Sequence, residues 1–251
     1  MTTLQKTEIP ADHFGTIYTE VMKQLSLKRC VARYLEIGVN EGNLMQHIHA
    51  KVAIGVDPEF SFRYNIMPFK GTVHLYQVPS DEFFSNHDVN SLGGDIDLAF
   101  LDGMHTFEYL LRDFYNTERL CNERSLIVMH DCLPLNEEMT HRNFNQSLAI
   151  GMNTTHPLYW TGDVWKIIPI LKKYRPDLKL VFLDAPPTGL VCVTNLDRTS
   201  NVLSKNYTKI IEEYKTVPSS TEEIMKLYGT VELTSTGEVL NDFDHSLYFR
   251  I

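Results

Sequence analysis

Two groups of acidic residues, each set beside glycine or histidine, carry the chemistry that this sequence can do. The first is Tyr34-Leu35-Glu36-Ile37-Gly38-Val39-Asn40-Glu41-Gly42-Asn43, of the form E-x-G-x-x-x-G. Glycine at Gly38 permits a tight turn and lets a ligand approach the backbone, and glycine at Gly42 lets a following helix start close to the strand before it. A phosphate-binding turn wants G-x-G-x-x-G here, and Glu36 stands where that pattern has glycine. A carboxylate beside the turn favours an ammonium group or sugar hydroxyls and disfavours phosphate. Asp57, in Gly55-Val56-Asp57-Pro58, comes on the order of 20 residues later, the spacing at which an acid accepts hydrogen bonds from a ribose diol. Together these residues describe a site for a nucleoside without phosphate. An ordinary strand-to-helix turn is the alternative that the segment alone leaves open.

The second group is Leu101-Asp102-Gly103-Met104-His105 and Met129-His130-Asp131-Cys132, two apolar runs that each end in Asp and His. On neighbouring strands, Asp102 and Asp131 would share one crevice edge, where two carboxylates are costly unless a cation sits between them. Magnesium is the natural candidate for such a hard, oxygen-rich site. Each residue also has a plainer reading. His105 can simply open the next helix, His130 is expected to pack or to bond a backbone carbonyl, and Ser80-Asp81 can be a helix N-cap. Asp163 is expected to cap its own helix. Trp160 and Trp165 suit a core or lid anchor, with Tyr159-Trp160 the better candidate for touching a substrate.

The elements that must position these residues follow from hydrophobic periodicity. Short runs at Ala32 to Ile37, Val52 to Val56, Val73 to Val78, Ile96 to Leu101 and Ser125 to Met129 read as buried parallel strands. Lys179 to Leu183 and Gly189 to Thr194 add two more, the latter expected to close the sheet edge. Helical spacing marks Asp12 to Leu27 and Asp163 to Tyr174. It is clearest at Thr106 to Cys121, with Phe107, Leu110, Leu111, Phe114 and Cys121 on one face and Glu108, Arg112, Asp113 and Glu118 on the other. A capped helix is predicted from Thr221 to Tyr228. Alternating strands and helices predict a doubly wound, mostly parallel α/β sheet whose ligands sit beyond the carboxyl ends of the strands. Leu133 to Thr161 has no clean period and reads as a lid, inside a domain spanning 1–197 with a C-terminal extension at 198–251.

The remaining bounds are compositional. Twenty-three basic against 32 acidic side chains give a net charge of −9, which would repel nucleic acid and anionic lipid. Cys30, Cys121, Cys132 and Cys192 have neither zinc-site nor disulfide-scaffold spacing and read as reduced thiols. Met1 to Asp12 shows no apolar leader, and no run is long enough for a membrane helix, so a cytoplasmic protein is expected. Three N-x-[ST] triplets, at Asn145, Asn153 and Asn206, then have no glycosylation to serve. A small-molecule partner is expected, and a homo-oligomer remains open.

From Tyr34 to about Thr194 this pattern resembles the class I S-adenosylmethionine-dependent methyltransferases, whose first motif is E/D-x-G-x-x-x-G and whose next strand ends in a ribose-binding acid. The resemblance implies that Glu36, Gly38 and Gly42 line the methionine portion of S-adenosylmethionine, that Asp57 meets the ribose, and that Ser80 and Asp81 meet the adenine. The runs LDGxH and HDC, with the later Gly162-Asp163-Val164-Trp165-Lys166, are similar to a branch that includes metal-dependent sugar and catechol O-methyltransferases. That likeness implies Mg²⁺ on Asp102 and Asp131, with Asp102 also at the cofactor, and His105 as general base. Cys132 departs from it, standing where those enzymes have a second Asp or Asn; a thiolate is a poor magnesium ligand. The expected activity is O-methylation of a sugar or natural-product hydroxyl. Metal-free N-methylation and a non-catalytic nucleoside-binding subunit are the alternatives, and the missing glycine pattern argues against an NAD-dependent oxidoreductase.

Overall fold

Runs of Val, Ile, Leu and Phe become the strands of one sheet in the computed structural model, which describes residues 8–87, 94–241 and 245–250. Parts of both expected segments, at 1–7, 88–93, 242–244 and 251, therefore lie outside the described residues. The strands are β1 (Arg33–Ile37), β2 (Ala50–Val56), β3 (Lys70–Tyr76), β4 (Ile96–Leu101), β5 (Cys121–His130), β6 (Lys179–Leu183), β7 (Leu190–Thr194) and β8 (Leu233–Thr234). Their order is β3-β2-β1-β4-β5-β7-β6-β8, with β1 to β5 pairing in parallel and β7 antiparallel to both neighbours. This is the doubly wound, mostly parallel sheet expected from the sequence, with one strand more than the expected seven: the two-residue β8 joins the edge beside β6.

Two strand expectations change. β7 does not close the edge; it lies between β5 and β6, and all five of its residues are buried. Its unbroken apolar run suits an interior strand covered on both faces. β3, expected to be buried, is the opposite edge, and none of its residues is buried; Gly71, Thr72 and Leu75 are exposed.

Side-chain alternation along the strands builds an apolar layer on each face. One contains Leu35, Ile37, Ala99, Leu101, Ile127 and Met129, packed under α3 (Phe107–Glu118) and α5 (Ile167–Tyr174). The other contains Tyr34, Ala53, Leu98, Phe100 and Val128, covered by Val21, Met22 and Leu25 of α1 (Tyr18–Lys28). α1 starts later than its periodicity predicts, because Gly15 N–H bonds the Asp184 carbonyl and Thr16 N–H bonds Thr236 Oγ1 instead. The helix expected after Gly42 is only a 3-10 turn, Met45–His47. Residues 38–49 are too few to turn, wind an α-helix across the sheet and turn again into β2.

α2 (Ser80–Asn86) begins at Ser80, with Pro79 at its N-cap and no side-chain cap bond. The lid region holds a 3-10 turn at Glu138–Thr140 and an unanticipated helix, α4 (Phe144–Gly151), capped by Asn143. α4 has no apolar stripe because it covers little core: Phe144 and Ile150 stay exposed. After β7 come α6 (Val202–Lys205), α7 (Tyr207–Tyr214), α8 (Thr221–Tyr228) and α9 (Thr236–Asn241), with β8 between the last two. Among the described residues no helix is long and apolar enough to cross a membrane, and the four cysteines are unpaired.

α3 departs from its predicted two-faced pattern. Cys121 belongs to β5, opposite Ile96, and both Asp113 and Glu118 are buried rather than solvated. Glu118 is matched by Arg175 at the end of α5, with N···O distances of 2.7 and 2.9 Å and both side chains only 2% exposed. Replacing Arg175 with methionine would strand that carboxylate in the core. Chemical denaturation of R175M is expected to show a loss of about 3–5 kcal/mol, whereas Arg175→Met combined with Glu118→Gln should recover part of it.

Candidate active site

The carboxyl ends of β1, β4 and β5 form the site. Parallel register sets Ile37 beside Leu101 and Leu101 beside Met129, so Gly38, Asp102 and His130 all leave the sheet at the same edge. Gly38 takes φ +87°, and a Cβ there would lie 1.9 Å from the Asp102 carbonyl oxygen. Only glycine lets the β1 turn pass so close to the end of β4. Gly42, at φ +80°, faces the side chains of Ile66 and Phe62 rather than a helix.

Beside this turn lies a cleft of about 230 Å³, lined by Tyr18, Glu36, Gly38, Asn40, Asn43 and Asp102 among others. Glu36 is 1% exposed and accepts a 2.6 Å hydrogen bond from Tyr34 Oη. Burial pushes the Glu36 carboxyl up to about 8; the Tyr34 hydroxyl opposes this and the Asp102 charge adds to it. Asp57 underpins the turn, its Oδ2 accepting from Asn40 N and its Oδ1 from Glu59 N, each at 2.8 Å. Ser80 and Asp81 do not line this cleft. Asp81 faces α3, where Arg112 binds both its oxygens at 2.8 Å. Ser80 lies near the buried Asp113, whose carboxyl burial pushes up to about 7 against the effect of that hydroxyl.

Next to the cleft, donor atoms of Asp102, His105 and Asp131 all lie within 4.8 Å of one another. His105 Nε2 is 3.3 Å from Asp131 Oδ2 and 3.5 Å from Asp102 Oδ1. Its Nδ1 is 3.1 Å from the Trp160 carbonyl, and the Trp160 ring stacks on the imidazole at 4.3 Å. Thr188 Oγ1 donates a 2.6 Å hydrogen bond to Asp131 Oδ1, leaving Oδ2 turned to His105. Asp131 itself sits at φ +59°, an uncommon backbone for a residue other than glycine.

His130 packs, as one of its two plain readings expects, and among the described residues does not bond a backbone carbonyl. Its ring packs on Tyr18 at 4.5 Å, and its Nδ1 lies 3.4 Å from both Asp102 Oδ1 and Asp131 Oδ1. Burial would lower its pKa, but the charges of Asp131 and Asp102 outweigh that and raise it well above the usual range. Asp102 is the counterpart: burial would raise its carboxyl, and His130 and His105 hold it far below its ordinary value. For magnesium the donor set is short of an oxygen. The Cys132 thiol, buried and pushed up by burial, turns away to donate to the His130 carbonyl at 3.1 Å, and an imidazole nitrogen stands near the carboxylates instead.

The GDVWK run holds His105 in place. Gly162, at φ +57°, lies against His105 so closely that a Cβ would be 1.8 Å from the His105 carbonyl oxygen. Asp163 does not cap its own helix; its Oδ1 accepts from Phe107 N at 3.1 Å and so caps α3, while its Oδ2 meets Lys166 and Arg142. Trp160 is a buttress, its Nε1 donating to the His141 carbonyl, and Trp165 is buried in the core. Tyr18 and Thr188 went unnoticed in the sequence. Tyr18 reads there as one more apolar position of α1, and Thr188 as part of a turn, so only their three-dimensional neighbours reveal them.

Comparisons with known proteins find one family and several solved structures to which the chain is similar. A family described as "Methyltransferase domain" matches residues 35–132, which run from β1 to the end of β5 and include Glu36, Asp57, Asp102, His105 and Asp131. The match covers less than half of the chain, and over that part the chain is similar to a methyltransferase domain. No curated protein matches the chain. Solved structures with similar coordinates include an O-methyltransferase from Bacillus cereus in complex with SAH, at 13% identity, covering 74% of this chain and 84% of that one with a TM-score of 0.48. The O-methyltransferase TomG from Streptomyces achromogenes, in complex with SAM, is 14% identical over 71% of this chain and 79% of its own, with a TM-score of 0.47. The SAH-bound methyltransferase PaMTH1 of Podospora anserina is 16% identical over 71% and 78%, with a TM-score of 0.46. At such distance, the reaction and acceptor must be read from this chain's own residues.

Glu36 would make the binding of a cationic ligand in this cleft sensitive to pH. With its carboxyl pushed up to about 8, it is protonated in the free protein at neutral pH, and a cationic sulfonium and ammonium ligand favours the ionised form. Binding should therefore release a proton below that pH. Calorimetry of S-adenosylmethionine binding at about pH 7, in buffers of different ionisation enthalpy, is expected to show release of about one proton, abolished in Glu36→Gln. Affinity should climb with pH until the ligand's own α-amino group, with an ordinary pKa of about 7.7–8.0, begins to lose its charge.

Proposed function

We propose that this protein is a cytoplasmic O-methyltransferase that moves the methyl group of S-adenosylmethionine onto a hydroxyl of a small molecule, such as a sugar or a natural-product intermediate. The observation that carries the proposal is the meeting of Asp102, His105 and Asp131 at the mouth of the cleft that Glu36 and Gly38 line. A sulfonium methyl is already activated. The protein has mainly to hold the acceptor oxygen in line with the C–S bond, an alignment that can lower the barrier by about 7–11 kcal/mol. A hydroxyl also has to shed its proton, and a cluster of carboxylates and imidazoles beside the methyl is suited to removing it. An amine whose pKa leaves it neutral at the working pH would not need such a cluster, so the geometry favours a hydroxyl as the acceptor.

Each residue has a part in this reading. Glu36 meets the charged methionine end of the cofactor, Gly38 leaves room for it, Gly42 keeps the wall of the turn open, and Asp57 holds the turn and faces the ribose. Ser80 and Asp81, which the resemblance assigns to the adenine, lie outside the cleft, with Asp81 held by Arg112. The acceptor oxygen attacks the methyl carbon, the C–S bond breaks, the sulfur leaves as neutral S-adenosylhomocysteine, and the acceptor's proton passes to the cluster. His105, expected as the base, can receive it only at Nε2, because Nδ1 is engaged by Trp160. Magnesium finds two carboxylates here and no third protein oxygen in the place of Cys132. The segment 133–161 covers the acceptor side.

The test is release of S-adenosylhomocysteine over a panel of sugars, catechols and other hydroxylated small molecules, with matched amines alongside. Turnover is expected with a hydroxyl acceptor, and His105→Ala should lower kcat by about 10²–10⁴-fold while S-adenosylmethionine still binds. Asp57→Ala should abolish that binding. Turnover only with amines, or an undiminished rate in H105A, would count against the proposal.

A further inference from the structure

We propose that a second cleft, between the lid and the chain after β7, receives an acidic substituent of the acceptor, a carboxylate or a phosphate, with Lys166 and Lys215 as its partners. This rests on the methyl-transfer reading and deepens it by naming a class of acceptor.

The second cleft has a volume of about 450 Å³ and shares no lining residue with the one beside Gly38. Its lining comes from three parts of the chain: Arg142 and Gln146 of the lid, Asp163 and Lys166 of the GDVWK run, and Lys215 and Ser219 after β7.

Lys166 is the residue that points to an anion. Its side chain is buried, with the whole residue only 3% exposed. An ammonium group has three N–H donors and accepts nothing. Among the described residues a single hydrogen-bond partner meets its Nζ, Asp163 Oδ2 at 3.0 Å, while the Phe107 ring, 5.2 Å away, attracts the charge. Buried charges are as a rule matched by hydrogen bonds. Asp163 cannot supply the rest, because its Oδ1 caps α3 at Phe107 N and its Oδ2 is shared with Arg142 Nη1 at 3.1 Å. The donors left over need an acceptor, and the open space that Lys166 lines is this cleft.

The surrounding charge agrees. Arg142, Lys166 and Lys215 stand against two carboxylates, Asp163 and the Glu108 that holds Arg142 at 2.9 Å, which leaves a local positive excess in a chain of net charge −9. Lys215 is exposed, and among the described residues it makes no side-chain hydrogen bond or ion pair. Ser219 Oγ accepts from Trp165 Nε1 at 3.4 Å, so its own hydroxyl hydrogen is free to donate.

Two contacts tie the cleft to the base. Asp163 caps the helix that begins just after His105, and Trp160, whose ring stacks on His105, donates from Nε1 to the carbonyl of His141, another residue of the cleft lining. An acid held here therefore fixes the acceptor relative to His105, which is the positioning that in-line transfer requires.

Calorimetry on the full chain with S-adenosylhomocysteine present tests this, using protocatechuate and glucuronate, each against its methyl ester, and inorganic phosphate as a third probe. At least one acid is expected to bind about 10-fold more tightly than its ester. Lys215→Glu should abolish that preference while S-adenosylhomocysteine binding stays unchanged, and phosphate should compete with the acid in the wild-type protein only. Lys166→Gln should weaken the preference too; if that variant does not fold, Lys215 decides alone. Equal binding of acid and ester, no binding of either, or a preference undiminished in K215E would each overturn the assignment, water alone then completing Lys166. Phosphate binding lost in K215E, without any acid-over-ester preference, would assign the cleft to a free anion and overturn its role in holding the acceptor. Failure of the methyl-transfer reading would look different: S-adenosylhomocysteine would not bind, whatever the anions do.

Discussion

Two carboxylates held side by side at the end of adjacent parallel strands are the constraint around which this molecule is arranged. Parallel pairing of β4 and β5 leaves Asp102 and Asp131 at one edge, and both are largely withdrawn from water. Like charges in such a place are unstable without positive partners. His105 and His130 approach from either side, Thr188 takes one oxygen of Asp131, and Tyr18 and Phe100 pack against His130. The cost of the two charges explains why so many polar and aromatic side chains converge on one small volume.

Backbone proximity does the positioning. At Gly38 and at Gly162 the chain passes within touching distance of a carbonyl, that of Asp102 in one case and of His105 in the other. The first contact joins the glycine turn after β1 to the acid at the end of β4. The second joins the return of the lid segment to the histidine at the start of α3, and Asp163 then caps that helix from outside it. Cleft and cluster are thus tied through main chain rather than through mobile side chains, which is the kind of support that in-line transfer demands.

The two halves of the site also share their electrostatics. Asp102 lines the cleft beside Gly38 and belongs to the acidic cluster, and its charge is one of the reasons that Glu36 resists ionisation. A cation arriving on either side, from the cofactor or from solution, changes the field felt by the other. The buried Glu118–Arg175 pair plays no part in this; it locks α3 to α5 and so keeps the frame behind His105 rigid.

What the sequence by itself determined was the alternation of elements and the edge at which the chemistry lies. The strand Ile96–Leu101 and the helix Thr221–Tyr228 fall where their periodicity and flanking residues place them, because burial of a regular stripe is a local property. The acids Asp57, Asp102 and Asp131 were legible because each follows an apolar run, and strand ends in such a sheet face one crevice. Glu36 was legible because it stands near the end of β1, before Gly38. Tertiary structure alone decided which partners those acids meet. It put β7 inside the sheet, buried Asp113 and Glu118 on a helix face that reads as polar, and turned Asp81 to Arg112 and Cys132 away from the cluster. It also brought Trp160, Thr188 and Tyr18 to His105, Asp131 and His130, contacts between residues far apart in the chain. Such contacts leave no periodic trace, since periodicity records only which side of an element faces the core and not what waits for it there.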